Sequence, residues 1–248
     1  MAVIEVTDLW KAFGDNQVLR GISLSIEKGT TYVVLGASGS GKTVLLKHVI
    51  GLLRPDRGGV TVNGVDLSTL AGKELNDFRR IFGMVFQGAA LFDSMTVFEN
   101  VAFPLREKDR RISWDELRAR VVAKLRVVDL GEEILGLWPA QLSGGMRKRV
   151  SLARALVADP EVVLYDEPTT GLDPITTDSV DSMIDNAKER LGVTSMVISH
   201  DIASAFKVAD RLAVLYDGHI AAQGTPAEVK QSQDPYVRRF LSLWFGKQ

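Results

Sequence analysis

The sequence of 248 residues predicts an α/β fold, and two patterns lead to that prediction. Short apolar runs alternate with longer stretches of helical periodicity, which is typical of strands joined by crossover helices. Two of the runs, 162–165 and 195–198, are continuously apolar, as strands covered on both faces are. We therefore predict a parallel sheet in which these two strands are central.

The composition indicates a globular domain, with 46% hydrophobic and 25% charged residues. The 30 basic and 31 acidic residues nearly cancel, so there is no general positive field to hold a nucleic acid, and no nucleic-acid partner is expected. The absence of cysteine excludes disulfide frameworks, thiolate zinc sites and thiol nucleophiles. The longest charge-free stretches, 29–41 and 134–146, are shorter than the roughly 20 apolar residues of a membrane helix. The first residues lack the features of a signal peptide, so a cytoplasmic protein is expected.

In the first third of the chain, short apolar runs separated by turn residues predict strands at 2–6, 22–26, 31–35 and 60–62. Because short turns join antiparallel neighbours, part of this region is predicted to be an antiparallel sheet. The strand signals stop between Gly88 and Arg154. In this interval the stretch 114–130 carries apolar residues on one helical face, at Leu117, Val121, Leu125 and Val128. A helical insertion in the α/β core is predicted there.

The strand at 31–35 runs directly into a glycine-rich loop and then a helical stretch at 44–50. The loop reads Gly36-Ala37-Ser38-Gly39-Ser40-Gly41-Lys42-Thr43, which matches G-x-x-x-x-G-K-[ST] in the strand–loop–helix context that a phosphate loop needs. Glycines let the backbone approach phosphate oxygens, and the amides at a helix N-terminus favour an anion. Lys42 is predicted to reach the β- and γ-phosphates and the Thr43 hydroxyl to ligate Mg²⁺. The predicted ligand is a nucleoside triphosphate with Mg²⁺.

Kinases, GTPases and ATPases all carry such a loop, so the carboxylates must distinguish them. Asp166 directly follows the apolar run 162–165, which places its carboxylate at the carboxyl end of a buried strand. The second protein contact to Mg²⁺ is required at such a position. Glu167 comes next and is predicted to act as the general base on the attacking water.

Six motifs, taken in order, resemble those of the ATP-binding subunits of ABC transporters. They are the loop from Gly36 to Thr43, Gln87, Leu142-Ser143-Gly144-Gly145-Met146, Asp166-Glu167, Gly171-Leu172-Asp173-Pro174 and Ser199-His200-Asp201. The order and spacing agree over nearly the whole chain. The resemblance implies the ABC ATPase fold: a P-loop NTPase (RecA-like) core with an antiparallel β subdomain and an inserted α-helical signature subdomain.

On this resemblance, residues 1–248 form a single ABC ATPase domain. The core with its antiparallel part is expected at 1–87 and 154–233, the helical subdomain at 88–153, and a helical tail at 234–248. The amphipathic tail has two interpretations, docking on its own domain or contact with a second ATPase subunit or a regulatory partner.

The resemblance also implies a head-to-tail homodimer that closes on two ATP molecules. Each ATP would lie between the phosphate loop of one subunit and Ser143, Gly144 and Gly145 of the other. These three residues precede a helical stretch at 146–156, and a helix N-terminus there suits a γ-phosphate. Asp173 would lie at the dimer seam near the other subunit's phosphate loop.

Three more roles follow from the resemblance. Gln87 would contact Mg²⁺ and the attacking water, and His200 would bind the γ-phosphate and help orient that water and Glu167. With Lys42, these residues form the expected catalytic set. Phe13 occupies the position of the aromatic residue that stacks on adenine, although a core role is the alternative for a phenylalanine taken by itself.

Within the family, residues 87–107 resemble the ATPases of Mla-type phospholipid transporters, which work with MCE-domain proteins at the Gram-negative inner membrane. This implies a peripheral subunit on the cytoplasmic face of that membrane. Its expected partners are permease subunits docked near Gln87 to Glu107, an MCE-domain lipid-binding protein and a small regulatory subunit. The candidates for permease contact are Leu91, Phe92 and Met95, whereas the residues expected in the core are Val97, Val101 and Leu105.

Three other functions stay open. The first is an ABC ATPase for another substrate, such as amino acids or lipoproteins, whose ATP-site residues would be identical. The second is a soluble ABC protein acting on ribosomes or DNA, which usually has two cassettes or long coiled-coil insertions. The third is an ATP sensor without hydrolysis, against which the presence of both Glu167 and His200 argues. One departure from many relatives is Met146-Arg147-Lys148-Arg149 in place of Gln-Gln-Gln-Arg, which is expected to alter the dimer seam locally.

Overall fold

The computed structural model describes residues 1–245. The strands are β1 (Ala2–Phe13), β2 (Asn16–Glu27), β3 (Thr31–Leu35), β4 (Arg57–Val62), β5 (Val65–Asp66), β6 (Phe82–Val85), β7 (Val162–Asp166), β8 (Thr194–Ser199), β9 (Arg211–Tyr216) and β10 (His219–Gly224). The helices are α1 (Lys42–Val49), α2 (Gly72–Phe78), α3 (Val97–Lys108), α4 (Trp114–Val127), α5 (Gly144–Leu156), α6 (Pro174–Leu191), α7 (Ile202–Val208), α8 (Pro226–Lys230) and α9 (Pro235–Phe245).

The chain forms two compact units, which we call the first and the second unit. The first unit contains Met1–Arg79 and the chain from Thr194 onward, and the second contains Arg80–Val193. Among the described residues, no helix combines the length and the apolar character that crossing a membrane requires.

One sheet of the first unit is antiparallel, as predicted, with the strand order β2-β1-β4-β5. Strands β1 and β2 extend well beyond the predicted runs at 2–6 and 22–26. The register of the pair shifts between Val6 and Leu9 and again towards the turn, so that it stays paired as far as Phe13 and Asn16. Irregularities of this kind break the alternation of apolar and polar residues from which strands are predicted.

The other strands of the first unit follow the order β10-β9-β3-β8. Strand β3 is parallel to both β8 and β9, and every residue of β3 and of β8 is buried. The continuous apolar pattern of 195–198 is thereby explained, because this strand is covered on both faces. The carboxyl ends of β3 and β8 lead into the phosphate loop and into His200.

In the second unit, β6 and β7 pair in parallel, and helices α3 to α6 follow or flank them. The apolar face predicted for α4 is confirmed, since Leu117, Val121 and Leu125 are all buried, as is Val128 just past the helix. The helix ends at Val127 rather than at 130. Asp129 stops it by adopting a left-handed backbone with φ 55°, a conformation that closes many helices.

The tail helix α9 docks on its own unit. Val237 and Leu241 are buried, and the ring of Tyr236 stacks on that of Tyr216 with 3.6 Å between centroids. The helix contacts α7, α8 and β10, all of the first unit. Of the two interpretations of the tail, docking on its own domain is therefore the arrangement seen.

Candidate functional site

The phosphate loop joins β3 to α1 in the first unit. Gly39 and Gly41 adopt φ of 80° and 101°, in the left-handed region where a side chain is strained. A Cβ at Gly36 would lie 2.4 Å from the backbone oxygen of Leu215, so this position also excludes larger residues. The N-cap residue of α1 is Gly41, which has no side chain to accept a bond from the first-turn amides. These amides are therefore suited to an anionic ligand.

Two side chains of this loop fit a bound phosphate chain. Lys42 is 5% exposed, and its Nζ donates to the backbone oxygens of Gly36 at 2.8 Å and Ala37 at 3.0 Å. The side chain of Lys42 thus folds back so that its ammonium group lies inside the loop. The buried Oγ of Ser40 has no hydrogen-bond partner among the residues that the structure describes. A buried polar atom without a partner is costly, and phosphate oxygens would satisfy it.

His200 lies beside the start of this loop. The amide of Gly36 donates to the backbone oxygen of Ser199 at 3.3 Å, which ties β3 to the end of β8. His200 follows directly and is exposed. The next residue, Asp201, accepts from the amide of Ser204 at 3.2 Å and caps α7. The structure therefore brings the phosphate loop and His200 together within one unit.

Phe13 ends β1 and is 49% exposed, so a core role is excluded. Lys11 Nζ lies 5.6 Å from the centroid of the Phe13 ring. Asp56 holds this segment, because its carboxylate accepts from Lys11 Nζ and from the amide of Ala12, both at 2.7 Å. The hydrogen bond from Lys11 is the main reason that the pKa of Asp56 lies below its ordinary value. An exposed, supported ring of this kind can stack on a base.

In the second unit, Val85 and Tyr165 are register partners near the carboxyl ends of the parallel strands β6 and β7. Gln87 follows β6, and Asp166-Glu167 lie at the end of β7, so these residues lie at the same edge of the strand pair. Asp166 ends β7 and is half-buried. Glu167 has a left-handed backbone with φ 53°, which costs a residue with a Cβ about 1–2 kcal/mol. Its carboxylate accepts from Thr170 Oγ1 at 2.9 Å. Such strain is found where a side chain must point in one particular direction.

The signature segment, Ser143–Gly145, begins α5, two residues earlier than the predicted stretch at 146–156. Ser143 is exposed and caps this helix, accepting at Oγ from the amide of Met146 at 3.2 Å. A Cβ on Gly144 or Gly145 would clash with nothing in the chain, because the nearest atoms are 4.0 and 3.6 Å away. Glycine at these positions is therefore not required by packing in the monomer. Contact of these glycines with a nucleotide stays a prediction.

Asp173 is the N-cap of α6. It accepts from the amides of Ile175 and Thr176, each at 3.0 Å, and from Thr176 Oγ1 at 2.5 Å. These bonds, the one from the Thr176 hydroxyl first, hold the pKa of Asp173 below its ordinary value. The carboxylate thus has a structural role in its own subunit, and its role at a dimer seam stays a prediction.

Gln87 opens a strained turn, residues 87–90, which we call the Gln87 turn. Ala89 and Ala90 both have left-handed backbones, with φ of 63° and 48°. Three side chains of α5, which we call the clamp, hold this turn by its carbonyl oxygens. Lys148 Nζ donates to Gln87, Ser151 Oγ and Arg154 Nη2 donate to Ala89 at 2.9 Å each, and Arg154 Nη1 donates to Ala90 at 2.7 Å.

An apolar groove of about 380 Å³ lies next to this turn in the second unit. Its lining includes Phe82, Met84, Phe86, Ala90, Phe92, Phe103, Pro104 and Arg154. Of the three candidates for permease contact, Phe92 lines the groove and is 41% exposed, whereas Leu91 and Met95 are half-buried and do not line it. The core positions Val97, Val101 and Leu105 are buried as expected.

The donor set predicted for Mg²⁺ is chemically suitable. A threonine hydroxyl, a glutamine amide oxygen and a carboxylate are hard oxygen ligands, and Mg²⁺ in nucleotide sites is held by one or two carboxylates together with phosphate oxygens. Within residues 1–245 no cluster of three or more histidine, cysteine, aspartate or glutamate side chains could hold a metal by itself.

Comparison with known families shows the family of this chain. The model described as ABC transporter matches residues 19–170, which include the phosphate loop, Gln87, the signature segment and Asp166-Glu167. This chain belongs to the ABC transporter family. The cassette is thus a member of a family whose ATPase subunits hydrolyse ATP, as the motifs predict.

Curated relatives cover most of the cassette. It is 39% identical to the intermembrane phospholipid transport system ATP-binding protein MlaF of Haemophilus influenzae over 96% of this chain and 90% of that one. It is 41% identical to the probable ribonucleotide transport ATP-binding protein Mkl of Mycobacterium tuberculosis over 96% of this chain, and spans 66% of Mkl. The methionine import ATP-binding protein MetN 1 of Listeria monocytogenes is 38% identical, with 96% and 71% of the two chains covered.

Solved structures confirm the fold. cbiO1 of Clostridium perfringens, part of the ABC transporter complex cbiONQ, matches with a TM-score of 0.86 and 29% identity over 99% of this chain and 96% of that one. A dimeric ATP-binding cassette in a post-hydrolysis state with ADP and Pi matches with a TM-score of 0.80 and 32% identity over 90% and 98%. The predicted ABC ATPase fold is therefore correct.

Sequence reasoning missed the residues that support the site. Lys11 and Asp56 hold the Phe13 segment, Thr170 holds Glu167, and the clamp holds the Gln87 turn. One signal for the clamp is present in the sequence. Lys148, Ser151 and Arg154 are spaced at three-residue intervals on a helix, so that each is a neighbour of the next on the helix surface.

Proposed function

We propose that this cassette is the ATP-hydrolysing subunit of a transporter that moves phospholipid between or across membranes together with an MCE-type system, in the maintenance of outer-membrane lipid asymmetry. The observation that carries the proposal is the 39% identity to MlaF of Haemophilus influenzae, which extends over 90% of that intermembrane phospholipid transport protein. The similarity of residues 87–107 to the ATPases of Mla-type transporters supports it further. The division into a core and a helical subdomain at 88–153 is part of this proposal.

Binding of ATP is assigned to the phosphate loop and to Phe13. The amides from Gly36 to Thr43, together with the Lys42 ammonium, would hold the phosphates, and the exposed ring of Phe13 would stack on adenine. Thr43, Gln87 and Asp166 would hold Mg²⁺, which neutralises charge on the phosphate oxygens when bound. The dimeric cassette with ADP and Pi supports a homodimer in which Ser143, Gly144 and Gly145 contact the partner's nucleotide and Asp173 lies near the partner's phosphate loop.

Hydrolysis is assigned to three polar side chains. The Glu167 carboxylate would accept a proton from the attacking water, in an orientation fixed by its left-handed backbone and by Thr170. Gln87 and His200 would orient this water and the γ-phosphate. Since a displacement of about 1 Å can lower the rate a hundredfold, the bonds that fix these side chains matter as much as their identities.

Binding of the membrane partner is assigned to the groove beside the Gln87 turn. Exposed aromatic side chains in a concave apolar surface suit a short helix of a permease subunit. The cassette would then lie on the cytoplasmic face of the inner membrane and be held there by the permease. An MCE-domain protein and a small regulatory subunit are the further partners proposed.

Copurification of the cassette with its membrane partner, followed by mass spectrometry of bound small molecules, tests the substrate. Phospholipid in the complex and stimulation of ATP hydrolysis by phospholipid support the proposal. Methionine, which the similarity to MetN 1 of Listeria monocytogenes makes the second candidate, would replace it if methionine and not phospholipid stimulates hydrolysis.

Substitution Glu167→Gln tests the catalytic assignment. It removes the base but keeps the shape, so we expect ATP binding to be retained, turnover to be abolished and a dimer to be trapped with ATP. Turnover is measured by phosphate release, and the dimer by size-exclusion chromatography with light scattering. Glu161→Gln, at an exposed position just before β7, is the matched control and should turn over normally. Unchanged turnover in Glu167→Gln would contradict the role of this residue.

A further inference from the structure

The clamp holds the Gln87 turn in a conformation that the chain would not adopt by itself. Two consecutive alanines, Ala89 and Ala90, are left-handed, although each has a Cβ that disfavours this region. Such a turn persists when its surroundings fix it from several sides. The four donor contacts from Lys148, Ser151 and Arg154 to its carbonyl oxygens supply that constraint.

The cations of the clamp are themselves buried. Lys148 is 7% exposed and Arg154 is 8% exposed, and burial lowers the pKa of each. A buried cation is tolerated when carbonyl or carboxylate oxygens surround it. The oxygen that Lys148 contacts is the backbone carbonyl of Gln87 itself, so its position and that of Gln87 are mutually dependent.

Both ends of α5 are functional in the proposed mechanism. The signature segment, Ser143–Gly145, begins the helix, and the clamp extends from Lys148, one turn further on, to Arg154 in the last turn. Arg154 also lines the apolar groove and lies 5.8 Å from the centroid of the Phe92 ring. A single rigid helix therefore links the signature segment, the Gln87 turn and the groove.

We propose that Lys148, Ser151 and Arg154 are positioning residues that fix Gln87 relative to the signature segment at the start of α5. The inference rests on the proposed function, in which Gln87 serves the nucleotide on its own phosphate loop and the signature segment serves the partner's nucleotide. The clamp then keeps the contributions of one chain to two ATP sites in a constant relative position. What Lys148 supplies is a hydrogen-bond donor within reach of the Gln87 carbonyl, and its charge is not needed for this role.

The experiment compares Lys148→Met, Lys148→Gln and Lys148→Arg in the full chain. Methionine keeps the volume and removes the donor, whereas glutamine and arginine keep a donor. In Lys148→Met we expect kcat to fall about tenfold to a hundredfold with the Kd for ATP changed by less than about twofold. Hydrogen exchange of the peptide 86–92, followed by mass spectrometry, should become faster. Lys148→Gln and Lys148→Arg should restore both kcat and slow exchange.

Arg149→Met is the matched control. Arg149 is the next residue of α5, but its guanidinium donates elsewhere, to Val128 O at 3.1 Å and Ser179 Oγ at 2.7 Å. It should leave kcat and exchange at 86–92 as in the wild type. Ser151→Ala is a smaller change that removes one clamp bond, and it should accelerate exchange at 86–92 even if Lys148→Met does not fold.

Three results would overturn the proposal. The first is a Lys148→Met variant with the kcat of the wild type and with wild-type hydrogen exchange at 86–92. If Lys148→Met does not fold, the corresponding result is wild-type hydrogen exchange at 86–92 in Ser151→Ala. Another is equal loss in Lys148→Met and Lys148→Arg, which would show that a hydrogen-bond donor at this position does not fix the turn. The third is an equal effect of Arg149→Met. Glu167→Gln, assayed in parallel, reports separately on the catalytic assignment, because exchange at 86–92 does not depend on it.

Discussion

Lys42 has its ammonium inside the phosphate loop, where it donates to two backbone oxygens of that loop. Binding of a triphosphate would exchange these neutral acceptors for charged oxygens, and hydrogen bonds to charged groups are the stronger ones. Lys42→Ala should therefore weaken ATP binding about tenfold to a hundredfold, since such a bond contributes about 1.5–3 kcal/mol. The Kd measured by isothermal titration calorimetry checks this expectation.

Lys47→Ala provides the control for loss of a positive charge from the same helix. Lys47 is exposed near the end of α1, and its substitution should leave the Kd for ATP close to that of the wild type. Equal weakening by the two substitutions would indicate a general electrostatic effect, and the specific role of Lys42 would then be wrong.

At the scale of single residues, the sequence predicts the functional residues that belong to a short local motif. The loop from Gly36 to Thr43 and the pair Asp166-Glu167 are of this kind, because a strand end and a few fixed neighbours define them. Lys148 could not be assigned in this way. Its acceptor is a backbone carbonyl about sixty residues earlier in the chain, and main-chain carbonyls carry no residue-specific signal. The left-handed backbone of Glu167 is invisible in sequence for a similar reason, since glutamate does not favour it.

Helix α3 begins with a capping box that makes its stability depend on pH. Glu99 accepts from the amide of Thr96 at 2.8 Å and from its hydroxyl at 2.9 Å, and these bonds hold the pKa of Glu99 below its ordinary value. Stabilisation by a carboxylate with a lowered pKa is complete above the pKa of the unfolded chain, which is near 4.5. It is lost as the pH falls through the lower pKa of the folded chain.

Glu99→Gln should therefore melt at a lower temperature than the wild type at pH 7, and this difference should shrink as the pH falls below about 4. Thermal melts followed by circular dichroism across this range measure it. Glu107→Gln is the control, because Glu107 is exposed in the last turn of the same helix, where a negative charge does not stabilise the helix dipole. A constant difference across the pH range would contradict the assigned role of Glu99.

At the scale of elements, strand identity was predictable where burial is two-sided. The runs 162–165 and 195–198 correspond to β7 and β8. Each end of these strands lies within one residue of the predicted end. The first two strands were predicted within an antiparallel region, but their predicted lengths were too short, because a register shift between Val6 and Leu9 interrupts the alternation. The ends of α4 and α5 differ from the predictions for local reasons, a left-handed Asp129 in one case and a capping Ser143 in the other.

The groove of the second unit is the surface proposed to bind the membrane subunit. Phe92 is exposed there and packs on Phe103 with 4.9 Å between ring centroids. Phe92→Asp should abolish copurification with the permease while the Kd for ATP stays within about twofold, because a charge in an apolar interface is strongly unfavourable. Pull-down of the tagged cassette from detergent extracts of cells expressing both subunits measures this.

Trp138→Asp is the matched control, since Trp138 is another exposed aromatic residue of the second unit and does not line the groove. Its complex with the permease should survive. Retention of the permease by Phe92→Asp, or its loss from both variants, would contradict the assignment of the groove.

At the scale of the whole molecule, the family and fold were predictable from six motifs in order, whereas the apolar groove was not. Apart from Phe92 and its neighbours in the chain, the groove is lined by side chains from β6, α3 and α5 that are distant in sequence. The permease contacts of Leu91, Phe92 and Met95 stay predictions. An apolar residue on a strand or helix looks the same in sequence whether it faces the core or an open groove.

Helix α5 has a consequence for how such cassettes diversify. It rises about 1.5 Å per residue, so the signature segment and the groove end are separated by a fixed span of about 18 Å. The groove proposed to bind the permease and the signature segment proposed to bind the partner's nucleotide lie towards opposite ends of this span. Residues at the groove end of α5 can thus change during evolution while the signature segment stays the same. Relatives named for phospholipid, methionine and ribonucleotide transport share about two fifths of this chain's residues. Grafting the groove residues of one onto another is accordingly a route to exchanging permeases between cassettes.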